Sequence, residues 1–145
     1  MKRIAILALV VVSTALAVAC CLRPLVKQDY EFPEGYLAGL KRFEPSDWAT
    51  VLQLYVNSEG RVNYEGLLAK REPLQRYLAL IGEVGPTTRP DLFPDDDAKL
   101  AYWINAYNAA TMDQVLRRWP IESVIDHKLS FFVLTRYRID GRSLS

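Results

Sequence analysis

With 145 residues and 18 Lys and Arg against 17 Asp and Glu, the chain has room for one domain at most. Its balanced charge offers no basic field to nucleic acid and no acidic block to repel it. Both cysteines, Cys20 and Cys21, close an apolar leader, which removes disulfides, CxxC redox chemistry and a thiol nucleophile from the domain that follows.

Residues 1–22 carry Lys2 and Arg3 ahead of an unbroken apolar and small-residue run from Ile4 to Leu22. This is the layout of an export signal, and its length also approaches the roughly 20 residues that span a bilayer. The run ends in Ala17-Val18-Ala19-Cys20, which resembles the lipobox of bacterial lipoproteins and makes Cys20 the candidate lipidation site. Ala17 departs from that pattern, where leucine is usual. Lipid anchor, uncleaved membrane helix and ordinary cleaved signal therefore remain the three alternatives.

Residues 23–45 hold prolines, glycines and scattered charge without a sustained period, and are expected as a tether on which Tyr30, Phe32 and Tyr36 fold back. Ser46 is the expected N-cap of a short helix with Trp48, Val51, Leu52 and Tyr55 at steps of three and four. Gly60 marks a turn, after which Val62, Tyr64 and Leu67 face inward. The spacing of Leu74, Tyr77, Leu78 and Ile81 predicts an amphipathic helix over 72–81, ended by Gly82 and Gly85, and the proline-rich stretch 86–94 is a loop.

A long central helix is expected over 95–119. Asp95, Asp96 and Asp97 suit its free N–H groups and positive dipole end. Carboxylates are also natural ligands of hard cations, but consecutive helical residues diverge, so capping is preferred over metal binding. Arg117 and Arg118 suit the negative end, and Pro120 stops the helix.

At 100° per residue, Leu100, Ile104, Tyr107, Thr111 and Val115 share one sector, with Trp103 at its edge, and are expected to be buried. The polar strip is then Lys99, Asp113 and Arg117, and the helix is apolar over most of its circumference. Asn105 and Asn108 fall within the apolar arc, where an unpaired amide costs roughly 1 to 3 kcal/mol. Two functions fit such amides: holding loop backbone, or lining a pocket with Trp103, Tyr107 and Tyr64. Aromatic residues at this spacing are ordinarily core.

The run from Leu129 is rich in β-branched and aromatic residues, and Asp140-Gly141 is a hairpin turn signal, which predicts a short hairpin-like segment over 130–144. His127, between Asp126 and Lys128, is expected as a surface loop histidine, and neither Ser-His-Asp spacing nor a phosphate-cradling glycine loop is present.

Two segments together resemble the domain of unknown function 547: Gly60-Arg61-Val62-Asn63-Tyr64-Glu65-Gly66-Leu67 and Ala101-Tyr102-Trp103-Ile104-Asn105-Ala106-Tyr107-Asn108-Ala109. The landmarks Pro120-Ile121-Glu122-Ser123-Val124 and Gly141-Arg142-Ser143-Leu144 follow. Asn63 stands where the family pattern has aspartate. The resemblance implies an exported or lipid-anchored protein, with residues 46–145 the N-terminal part of a longer domain. It carries a weaker likeness to papain-like or transglutaminase-like thiol hydrolases, which need a cysteine activated by a histidine.

The expected fold is α+β and mainly helical, with the buried central helix and the C-terminal hairpin. The expected function is a membrane-tethered, extracytoplasmic binding or scaffold module in the cell envelope, with no cofactor and no metal. Its partners would be the membrane and a protein or small-molecule ligand, not nucleic acid. The alternative is the N-terminal part of a hydrolase whose reactive residues lie beyond Ser145.

Overall fold

The computed structural model describes residues 25–27, 29–123, 125 and 135–144. The leader with Cys20, His127 and the first part of the expected hairpin lie outside the described residues.

The described chain is α+β. Four helices, α1 (Ser46–Tyr55), α2 (Tyr64–Ala69), α3 (Glu72–Glu83) and α4 (Asp96–Leu116), are followed by the antiparallel strands β1 (Tyr137–Ile139) and β2 (Arg142–Leu144). A 3-10 turn, Pro90–Leu92, lies in the proline-rich loop.

Local chemistry accounts for the boundaries. Helix α1 begins one residue from expectation, with Pro45 at the N-cap and no side-chain cap, so Ser46 is its first helical residue. Asn63 caps α2 by accepting from Gly66 N at 2.9 Å. Gly60, at φ +76°, turns the chain between Val56 and Val62, which pair as an isolated bridge. Asp95 caps α4 by accepting from Ala98 N at 2.8 Å. At the other end Arg117 is the C-cap, and Arg118 donates to Gln114 O at 3.1 Å, so α4 stops short of the expected residue 119.

The core forms where α3 meets α1, β1 and α4. Leu74, Tyr77, Leu78 and Ile81 are buried as their spacing predicts, and Trp48 stacks on Tyr77 at 5.5 Å between ring centres. Tyr102 anchors α4 by donating its hydroxyl to Ile81 O at 2.8 Å.

Over its first part α4 buries the side opposite to the expected one, while Val115 is buried as expected and Thr111 and Trp103 are half-buried. Tyr102, Ala106, Ala109, Asp113 and Leu116 are buried, while Leu100, Ile104 and Tyr107 are 59 %, 52 % and 61 % exposed. Two physical features explain the reversal. Alanines let α4 approach its neighbours closely, and Asp113 can be buried because cations and a hydroxyl surround it. Hydrophobicity summed by sector weighs the larger side chains of the other face and sees neither feature.

The hairpin turn closes the fold onto α3. Asp140 and Gly141 have φ of +52° and +72°, as a two-residue turn of the primed type requires. Asp140 N donates to Ile81 O at 2.8 Å, and Gly141 N to Gly82 O at 2.9 Å. The turn thus supplies donors to carbonyls that the end of α3 leaves free.

Residues 25–27 and 29–43 lie along the domain. Val26, Phe32, Leu37, Leu40 and Phe43 pack against the core, and Phe32 carries Tyr30 edge-on and Tyr36 stacked. Arg89 holds this strap by donating to Leu37 O at 3.0 Å and Leu40 O at 3.1 Å. At its start, Leu25 forms a parallel bridge with Arg136, and Val26 N donates to Arg136 O at 2.7 Å.

Candidate functional site

The residues singled out in the sequence turn to different neighbours. Asn105, half-buried, accepts from Trp48 Nε1 at 3.0 Å and so ties α4 to α1. Asn108 is exposed, which corrects the expectation that both amides are buried. Tyr107 is exposed beside it. Trp103 packs edge-on against Tyr102 and lies under the Arg142 guanidinium, 5.9 Å from the ring centre. Tyr64 is half-buried with its ring against Trp119 at 5.5 Å, and that burial raises its hydroxyl pKa.

What remains open on α4 is a stripe of Leu100, Ile104 and Tyr107, spaced by four and three residues and bordered by Ala101 and Asn108. These residues stack along one side of a helix. The result is an exposed apolar strip along the helix.

Two carboxylates that the sequence analysis left in minor roles are buried and densely bonded. Asp140 accepts from Thr87 N at 3.0 Å, Thr88 N at 2.8 Å, Thr88 Oγ1 at 3.0 Å and Arg142 at 3.3 Å. Burial works to raise its pKa, but the hydrogen bonds from Thr87 and Thr88 outweigh it and hold the carboxyl below the ordinary aspartate value. A Cβ on Gly85 would sit 2.6 Å from the Asp140 Cβ, so only glycine lets this latch close.

Asp113, expected on the polar strip of α4, is 1 % exposed. It accepts from Arg71 at 3.1 Å, from the Tyr137 hydroxyl at 2.7 Å and from Arg117 one turn on. Burial opposes the Arg117 charge, yet the Asp113 hydrogen bond prevails and raises its pKa. Burial, then the neighbouring Asp113, likewise pushes the Tyr137 hydroxyl up, which keeps it a neutral donor. Asp113 thereby joins the N-cap of α3, α4 and β1 at a single carboxylate.

Capping and pairing account for two of the three carboxylates at the start of α4. Asp95 caps, and Asp96 pairs with Lys99 at 2.8 Å. Among the described residues no group of three or more His, Cys, Asp or Glu converges as metal ligands would.

Residues 92–145 match the family model of a protein of unknown function, DUF547. No curated protein and no solved structure matches the chain. The DUF547 match takes in the end of the 3-10 turn, α4 and the hairpin, and therefore both buried carboxylates and the open stripe. The resembling segment Gly60–Leu67 lies outside it.

Sequence reasoning missed Asp113 and Asp140 as organising residues. A signal for Asp140 was present in Asp-Gly, where the aspartate served only as a turn former. For Asp113 the local signal, Arg117 four residues on, reads as an ordinary surface ion pair, and the other partners, Arg71 and Tyr137, lie 42 and 24 residues away.

Proposed function

We propose that the chain is a membrane-tethered, extracytoplasmic module of the cell envelope that binds a protein partner through the open face of α4. The exposed stripe of Leu100, Ile104 and Tyr107 carries this reading. Apolar side chains in line on a helix favour association with another macromolecule, whereas a small ligand is better held in a concave pocket. Asn108 at the border offers a hydrogen-bonding edge for specificity, and the Trp48–Asn105 bond steadies the helix beneath. Tethering is supported by the leader and its Ala19-Cys20 terminus. Among the described residues no helix is long and apolar enough to cross a membrane.

The test is site-specific photocrosslinking in cells, with the crosslinker at position 107 and a control at exposed Glu65. A discrete adduct from 107 alone, abolished by Ile104→Lys in a stably folded chain, is the expected result. No adduct at 107, or equal adducts at both positions, would refute the partner. Mass spectrometry of the membrane fraction checks the tether, with a diacylglyceryl group on Cys20 expected. A chain recovered entirely in the soluble fraction would sink it. Hydrolysis of peptides or esters by the purified chain, abolished by Asn105→Ala with the fold intact, would replace the binding reading with an enzymatic one.

A further inference from the structure

The distribution of charge gives the tethered domain an orientation. Balanced overall, the chain separates its charges along α4, whose 21 residues span about 32 Å at 1.5 Å each. The N-terminal end carries Asp95, Asp96 and Asp97, with Asp91 in the preceding turn, and keeps a net negative charge after Lys99 pairs with Asp96 and Arg89 with Asp91. At the other end Arg117 and Arg118 meet Arg71, which shares Asp113 with Arg117. Arg136 joins them through its neighbours, because Thr135 Oγ1 accepts from Arg118 at 3.0 Å and Tyr137 donates to Asp113. Exposed Lys27 completes the group, lining a small crevice with Asp29, Asp113, Arg117 and Tyr137. Among the described residues the five named cations still outnumber the carboxylates when Asp29, Glu72, buried Asp113 and Glu122 are all counted.

The chain enters the domain at this same end, where Leu25 bridges to Arg136. A covalent limit follows for a chain anchored through Cys20. The five steps from Cys20 to Leu25 span at most about 18 Å, so the strap leaves no long tether between anchor and domain. In a chain so anchored the entry at Leu25 stays within about 18 Å of the anchor, a little over two Debye lengths at physiological salt, so the cations beside it are the charges that can approach the surface.

We propose that this pole, built around Lys27, Arg71, Arg117, Arg118 and Arg136, docks on anionic phospholipid headgroups and fixes the orientation of the domain on its membrane. The inference rests on the tethered reading above and adds to it a specific surface and a specific lipid chemistry. Each cation near an anionic surface strengthens adhesion several-fold, and the effect falls away with added salt. With the basic end seated on lipid, the N-terminal half of α4 and its stripe stand clear for a partner.

The experiment uses the full chain with vesicles of phosphatidylcholine alone or with about one-third phosphatidylglycerol, read by hydrogen exchange and by sedimentation. On the anionic vesicles, slowed exchange is expected at residues 25–29, 116–119 and 135–138, but not at 90–99. The slowing should disappear in 0.5 M salt (roughly a 4 Å Debye length) and in the double variant Lys27→Glu, Arg136→Glu. Where that variant unfolds, Lys27→Gln with Arg136→Gln serves, and an unchanged urea midpoint shows which applies. Equal exchange on both vesicle types, or protection centred on 90–99, would overturn the proposal. A chain that sediments with neither vesicle type unless pre-anchored sinks the docking alone. A chain without any anchor fails the tethered reading, and its sedimentation with phosphatidylglycerol vesicles, about tenfold or more above phosphatidylcholine, would still establish the docking surface.

Discussion

Asp140→Ala is the most informative single substitution in this fold. The Asp140 side chain is fully buried and accepts from two backbone amides, the Thr88 hydroxyl and Arg142. Hydrogen bonds to charged groups are each worth roughly 1.5 to 3 kcal/mol and do not add fully. Alanine also accepts the left-handed conformation at φ +52° less readily than aspartate, by up to about 1 kcal/mol. The expected loss is about 4 kcal/mol, a large part of the roughly 5 to 15 kcal/mol that holds a domain folded. Asp140→Asn keeps the turn conformation and one accepting oxygen, and should lose about 2 kcal/mol. Urea unfolding followed by far-UV circular dichroism measures both. The folded pKa is depressed, so the stabilisation is present above the unfolded value of about 3.9 and is lost as pH falls through the folded pKa. The wild-type stability should therefore drop below about pH 4 more steeply than that of Asp140→Asn. A loss under about 1 kcal/mol for Asp140→Ala, or parallel acid profiles, would refute the latch.

Gly85→Ala should cost about 2 to 3 kcal/mol through the collision of its Cβ with Asp140, and an unshifted urea midpoint would contradict the close approach. Asp113→Ala leaves Arg71, Arg117 and the Tyr137 hydroxyl without their shared acceptor; about 3 kcal/mol is expected by the same assay, and less than 1 would mean that solvent replaces the carboxylate. Asn105→Ala strands the Trp48 indole N–H and should lose about 1 kcal/mol, whereas Asn108→Ala should be neutral or stabilising by a few tenths; equal effects would undo the distinction between the two amides. Ile104→Lys should leave stability within about 0.5 kcal/mol while Ala106→Lys abolishes cooperative unfolding, and the reverse order would restore the buried face that helical periodicity alone predicts.

Much of this protein is determined locally and was legible as such. Helix α3 shows part of its buried surface in the spacing of Leu74, Tyr77, Leu78 and Ile81 because those side chains form its apolar stripe, although α1, α4 and β1 together also bury Ala79, Leu80 and Gly82. The Asp140-Gly141 turn is written in two residues because only they adopt positive φ at low cost. The start of α4 follows from Asp95, which reaches three residues forward to Ala98. Tertiary structure alone decided which side of α4 faces inward. Ala106 and Ala109 matter through what can approach them, and Asp113 can be buried only once Arg71 and Tyr137 arrive from distant parts of the chain. The same assembly turned Leu100, Ile104 and Tyr107 into a surface and brought Arg71 and Arg117 together on Asp113. Composition records how many charges a chain carries, but their field depends on where folding sets them.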